Sequence, residues 1–75
     1  MNKRDRKELE GMFERLVNLA TEVDALGDSE RDKYDNLTEG LQATAQGERF
    51  DEVAELLSEQ AGVIQDAANE LAELL

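Results

Sequence analysis

Asp28, Glu30 and Asp32 stand at alternate positions, and Glu39 is twelfth counting from Asp28, the spacing with which a calcium loop presents its oxygens. The sixth position of such a loop needs glycine for its turn. Here it is Lys33, whose charge would repel the ion. The form Ser29-x-x-Asp32 explains the same acids more simply, as a capping box at the start of a helix. Nothing else comes as near to reactive chemistry. The 75 residues include no His, the usual general base and metal ligand, and no Cys, so disulfides, thiolate zinc, iron–sulfur clusters and thiol nucleophiles are all excluded. A di-iron bundle needs Glu-x-x-His pairs, phosphate cradles need Gly-rich loops, and neither occurs. No two carboxylates can be assigned to a shared buried position for acid–base work. The expectation is therefore a protein that is not an enzyme and takes no metal or cofactor.

What remains is charge. Nineteen acids against eight bases give a net −11, which argues against direct contact with nucleic acid or with an anionic membrane surface. No apolar run approaches the ~18 residues of a membrane span. Glu48, Asp51, Glu52, Glu55 and Glu59 place five acids over about 18 Å of helix, one per roughly 3.6 Å. That is close to the axial spacing of about 3.4 Å between charges on one DNA strand. Such a face either keeps a helical protein in solution or presents itself to a basic surface in place of nucleic acid. From residue 16 onward only Arg31, Lys33 and Arg49 are basic, so the field over most of the chain is strongly negative.

The elements that must carry these charges are helices. With Leu9 as heptad position a, Leu9, Leu16 and Val23 occupy a, Met12, Leu19 and Leu26 occupy d, and Phe13 and Ala20 occupy e. This predicts a helix over about residues 4–26, with Gly27 as its C-cap and residues 29–36 as a short helix or a kinked continuation. Residues 37–44 lose the period and carry turn formers, with Leu37 and Leu41 expected to plug the end of the core. Thr44 then reads as the N-cap of a helix over about 45–75. There Phe50, Leu57, Ile64 and Leu71 take position a, and Val53, Gln60, Ala67 and Leu74 take position d. Ala54, Ala61, Ala68 and Leu75 take position e. The fold class is all-α: one domain, an antiparallel helical hairpin of two long helices plus a short one, with a kinked or broken first arm.

Charge layout predicts the same topology. Lys3, Arg4, Arg6 and Lys7 crowd a helix start, and Asp66, Glu70, Glu73 and the terminal carboxylate crowd a helix end, each disfavoured there by the macrodipole. A hairpin lays the two clusters side by side. Only 21 large apolar side chains are available for a core, and chains this small are marginal without a staple. The stripe on each arm is wider than one partner hides, so a homodimer closing into a four-helix bundle is expected. Its core or dimer seam would draw on Leu9, Met12, Phe13, Leu16, Leu19, Val23, Phe50, Val53, Leu57, Ile64 and Leu71, with Phe13, Leu16, Phe50, Leu57 and Ile64 near its centre.

The stretch Tyr34-Asp35-Asn36-Leu37-Thr38-Glu39-Gly40-Leu41-Gln42, followed by Gly47-Glu48 and an acidic helix, resembles a group of small acidic proteins of phages and other bacterial mobile elements. Their pattern is aromatic-Asp-Asn-Leu, then Pro-Glu-Gly-Leu-Gln, then a second acidic helix; this chain has Thr38 where the group usually has Pro. The resemblance covers about residues 30–75. It implies a helical hairpin, a mobile-element origin and a place in the cytoplasm of a bacterial host, but supplies no activity and no functional residues. Residues and resemblance together predict a protein–protein interaction module that engages a basic surface, such as that of a host defence nuclease. A structural coiled-coil adaptor and an antitoxin-like partner are the alternatives.

Overall fold

A computed structural model describes residues 1–75. Helix α1 (Lys3–Asp35) and helix α3 (Ala45–Ala72) lie antiparallel, joined through a single-turn helix α2 (Glu39–Gln42), and there is no strand. At 1.5 Å per residue the arms are about 50 and 42 Å long. The hairpin measures 58 × 14 × 12 Å.

Side chains at the helix starts fix where each element begins. Asn2 accepts from the Asp5 N–H at 2.8 Å, Thr38 from the Leu41 N–H at 3.4 Å, and Thr44 from the Gly47 N–H at 3.2 Å. Each satisfies a donor that has no partner within the helix. The expected Thr44 cap is therefore present, and those at Asn2 and Thr38 add to it.

The first arm is not broken: of the two arrangements expected for residues 29–36, the structure has the continuation of α1 and not a separate short helix. Helix α1 passes through Gly27 without interruption, and no residue adopts the positive φ of a left-handed C-cap. The short helix lies at Glu39–Gln42 and not within residues 29–36. Ser29 and Asp32 are exposed residues of α1 and start no second helix. The reason is packing. A Cβ at Gly27 would sit 3.3 Å from both the Leu57 Cβ and the Ser58 backbone nitrogen, so this is where the two backbones come close. Gly within a helix costs about 1 kcal/mol relative to Ala. Stopping α1 there would remove Tyr34 and strip cover from the turn half of α3, where Phe50 is half-buried.

On α1 the seam also runs along a different row from the expected a and d, whereas on α3 it is large at a and small at e, as expected. Positions a and e form it in both arms, and position d rolls outward. On α1 the inward residues are Leu9, Phe13, Leu16, Ala20, Val23, Gly27 and Tyr34; on α3 they are Gly47, Phe50, Ala54, Leu57, Ala61, Ile64, Ala68 and Leu71. Six of these are fully buried, and all six are Ala or Gly at position e. Small side chains in one row let the backbones approach, while the a residues flank the contact. A seam through Met12, Leu19 and Leu26 would hold the helices further apart. Those three are 49%, 47% and 59% exposed. Met12 and Leu19 thus leave the expected core, while Val53 stays half-buried at its edge.

At the turn, Gln42 donates to the Tyr34 and Leu37 carbonyls at 3.1 and 3.3 Å. Leu37 is half-buried as expected, but Leu41 is half exposed and plugs nothing. Its backbone carbonyl matters more: it accepts from the Thr44 N–H and hydroxyl, and lies over Gly47. At the open end, Leu75 shares a surface groove with Lys3, Arg6 and Lys7, so the terminal clusters do lie side by side. No ion pair joins them. Their mutual effect is the long-range one of opposite charges across solvent.

Candidate functional site: an acidic flank

Because α3 runs antiparallel to α1, equivalent heptad rows of the two helices meet on the same flank of the seam. Arg31 and Asp51, both at position b, show which flank is which. Their side chains pair across the helices, the only ion pair to do so. The hydrogen bond to Asp51 raises the Arg31 pKa above its ordinary value; loss of hydration opposes this, and the charges of Asp51, Asp35 and Glu55 add to it. Arg31 also lies 5.5 Å from the centre of the Tyr34 ring. On the same flank one shallow groove is lined by Asp28, Arg31, Glu55, Ser58 and Glu59, and another by Asp24, Ser58 and Gln65.

The five acids expected to act together divide accordingly. Glu48, Glu55 and Glu59 are exposed and make no ion pair. Glu52 is exposed and reaches Arg49 at 3.6 Å, a solvated i,i+3 contact. Asp51 is half-buried and paired with Arg31, so it is not free for a partner.

The flank also recruits acids from the first helix that a helix-by-helix reading missed. Glu10, Glu14, Asp24, Asp28 and Asp35 of α1 occupy rows b and f, and so do Glu48, Asp51 and Glu55 of α3. Against these eight stand three bases, Lys3, Lys7 and Arg31. The signal lay in the heptad letters: once antiparallel pairing is granted, rows b and f of both arms share a side. Asp32, Glu52, Glu59, Asp66 and Glu73 of row c continue the negative surface around the outside of the rod.

No group of three or more acids converges as a metal site would require, so Asp28, Glu30 and Asp32 remain spread along α1. No helix is long and apolar enough to cross a membrane. Gln60, the one polar residue expected in the α3 stripe, is exposed on the outward d row. Searches of family models, curated proteins and solved structures find no match to this chain.

Proposed function

We propose that the hairpin is a non-catalytic interaction module whose acidic flank engages a basic surface, of the kind that otherwise holds nucleic acid. The observation that supports this most is the asymmetry of charge around the rod. Rows b and f carry eight acids and three bases, while the opposite rows d and g carry four acids and three bases. Solubility alone gives no reason to gather acids on one side. A rigid two-helix rod holds them at fixed axial spacing and brings them to a partner without an ordering cost. The resemblance to small mobile-element proteins fits this reading. Thr38 has φ of −65°, the value a proline ring imposes, so the turn here has a backbone that proline would also adopt.

The test is capture from a bacterial lysate at low salt, identification of what is retained, and kinetics with the purified partner. The variant Glu48→Gln, Glu55→Gln, Glu59→Gln removes three unpaired charges and keeps helix propensity. A basic partner that associates more slowly with this variant, with a deficit that shrinks as salt rises, is the expected result. Equal association rates at low salt would reduce the flank to a solubility feature.

The exposed apolar side chains favour a second, compatible reading, that the module also assembles, with itself or with another helix, as a coiled-coil adaptor does. Met12, Leu19 and Leu26 of α1 and Leu56 and Val63 of α3 are each 47% to 59% exposed.

A further inference from the structure

We infer that the flank opposite the acidic one binds a second copy of this chain, antiparallel and centred on Leu19 and Val63, to make a four-helix bundle. The inference rests on the assembly reading above and is independent of any basic partner. Rows d and g of both helices share this flank, by the same pairing logic that joins Arg31 to Asp51 on the other. Ala20 and Ala61 line one groove and Gly27 lies against Ala54, which sets the axial level of the arms. Leu19 and Val63 therefore stand at nearly one height, as do Leu26 and Leu56. The result is an apolar strip along one side of the rod, interrupted by Gln60.

The surface area of the single hairpin is larger than its mass calls for. The chain exposes 5619 Å², whereas a compact monomer of its mass exposes about 4,600 Å². The excess of roughly 1,000 Å² is close to the ~800 Å² per partner that a stable interface removes.

Charge decides in favour of a second copy. On this flank, Lys33 and Arg49 lie toward the turn, while Asp5, Glu8 and Glu70 lie toward the open end. Arg15 and Glu22 stand on either side of Leu19. A two-fold axis crossing the rod at Leu19 sets Leu19 against its own copy and Met12 against Leu26. The same operation brings Arg15 to Glu22 of the second copy and the basic turn end to the acidic open end. Arg15 then faces Glu22 of the second copy and Lys33 faces its Asp5, and the two-fold repeats both pairs, which is what an isologous interface requires. The flank's net charge of −1, from four acids and three bases, also makes it the side on which two chains of −11 can approach.

Sedimentation equilibrium on the full chain tests the inference, with circular dichroism to follow helix content. The chain is expected to run at twice its 8.4 kDa mass and to dimerise more tightly as salt screens the net repulsion. Leu19→Glu should weaken the dimer roughly 100-fold, since each dimer loses two buried leucines and gains two facing acids. Leu19→Gln should weaken it less, and both variants should remain helical because this side chain is half exposed in the single hairpin.

The charge pairing has its own test. Arg15→Glu and Glu22→Arg should each weaken the dimer about fivefold, and the double exchange should restore it. The two residues are seven apart on one helix, about 10.5 Å, and make no ion pair within the chain, so rescue can only come from the second copy. Glu22→Arg is the sharper variant, because it reduces net charge and would strengthen association if repulsion alone mattered. A monomer at all accessible concentrations overturns both the assembly reading and this inference. A dimer indifferent to Leu19→Glu overturns the face while leaving self-assembly standing. Loss on Leu19→Glu without rescue by the exchange overturns the antiparallel arrangement.

Discussion

The two halves of the hairpin are held by different physics. Near the turn, backbone lies against backbone: Gly27 meets Leu57 and Ser58, Gly47 sits under the Leu41 and Gln42 carbonyls, and Gln42 ties the end of α1 to the loop. The ion pair between the helices, Arg31 with Asp51, is here too. Toward the open end the seam is Ala20, Ala61 and Ala68 between half-buried Leu, Phe and Ile side chains, and no polar side chain joins the arms. Gly11 and Gly62 of that half face open space. Glycine in this protein therefore has two unrelated roles. In one half it is required by contact, and in the other it only weakens a helix.

The largest expected effect comes from adding one methyl group at the turn. In Gly47→Ala the new Cβ would fall 2.5 Å from the Leu41 oxygen, 2.6 Å from the Gln42 oxygen and 2.8 Å from the Gln42 carbonyl carbon. All three are backbone atoms, so no side chain can swing away and the loop itself must move. A loss of about 3 kcal/mol is expected, the upper end for overpacking. In a domain of this size that lowers Tm by roughly 12–24 °C. Thermal and urea unfolding followed by circular dichroism measure it. A variant as stable as the parent would show that the turn half is not packed as described.

Gly27→Ala is milder. Its contacts at 3.3 Å need a shift of a few tenths of an ångström, and the helix-propensity gain of about 1 kcal/mol offsets much of the cost. A net loss of about 1 kcal/mol is expected, well below that at Gly47. This position also shows what the sequence could and could not say. The heptads, Thr44 and the turn were legible because capping and periodicity are local. Gly27 was misread as a stop because local rules give a glycine after an apolar run that meaning, and only the approach of α3 gives it another. On α1 the roll of the seam from row d to row e was hidden for a related reason, although the small e row of α3 was legible. Leu at d is the stronger seam signal within one helix, and the advantage of Ala and Gly at e exists only when both helices carry them at matching heights. On the acidic flank, Glu48 and Glu55 were legible as one row and Glu59 as part of the adjacent one, whereas the commitment of Asp51 to Arg31, twenty residues away, was not.

In the open half the sign reverses. Gly11→Ala and Gly62→Ala meet nothing within 4 Å, so each should stabilise the hairpin by 0.5–1 kcal/mol through backbone entropy. Combined, they should raise Tm by about 4–16 °C, since the positions are far apart and independent. Amide hydrogen exchange would localise the gain: protection should rise in the arms near residues 11 and 62 while the turn amides change little. Destabilisation at either site would mean that the open half is packed as tightly as the turn.

The smallest effect on stability, and the one that bears most on function, is expected from Arg31→Gln. The guanidinium is partly exposed, so its pair with Asp51 is screened by solvent, and the fall in Tm should be slight and should fade as salt rises. The same substitution removes one of three bases on the acidic flank and frees Asp51 beside Glu55 and Glu48. If that flank recognises a basic partner, the variant should associate faster than the parent at low salt while unfolding slightly more readily. Stability and binding then move in opposite directions from a single residue. A variant that lost both together would mark Arg31 as a contact made with the partner, and the free carboxylates around it would no longer account for recognition.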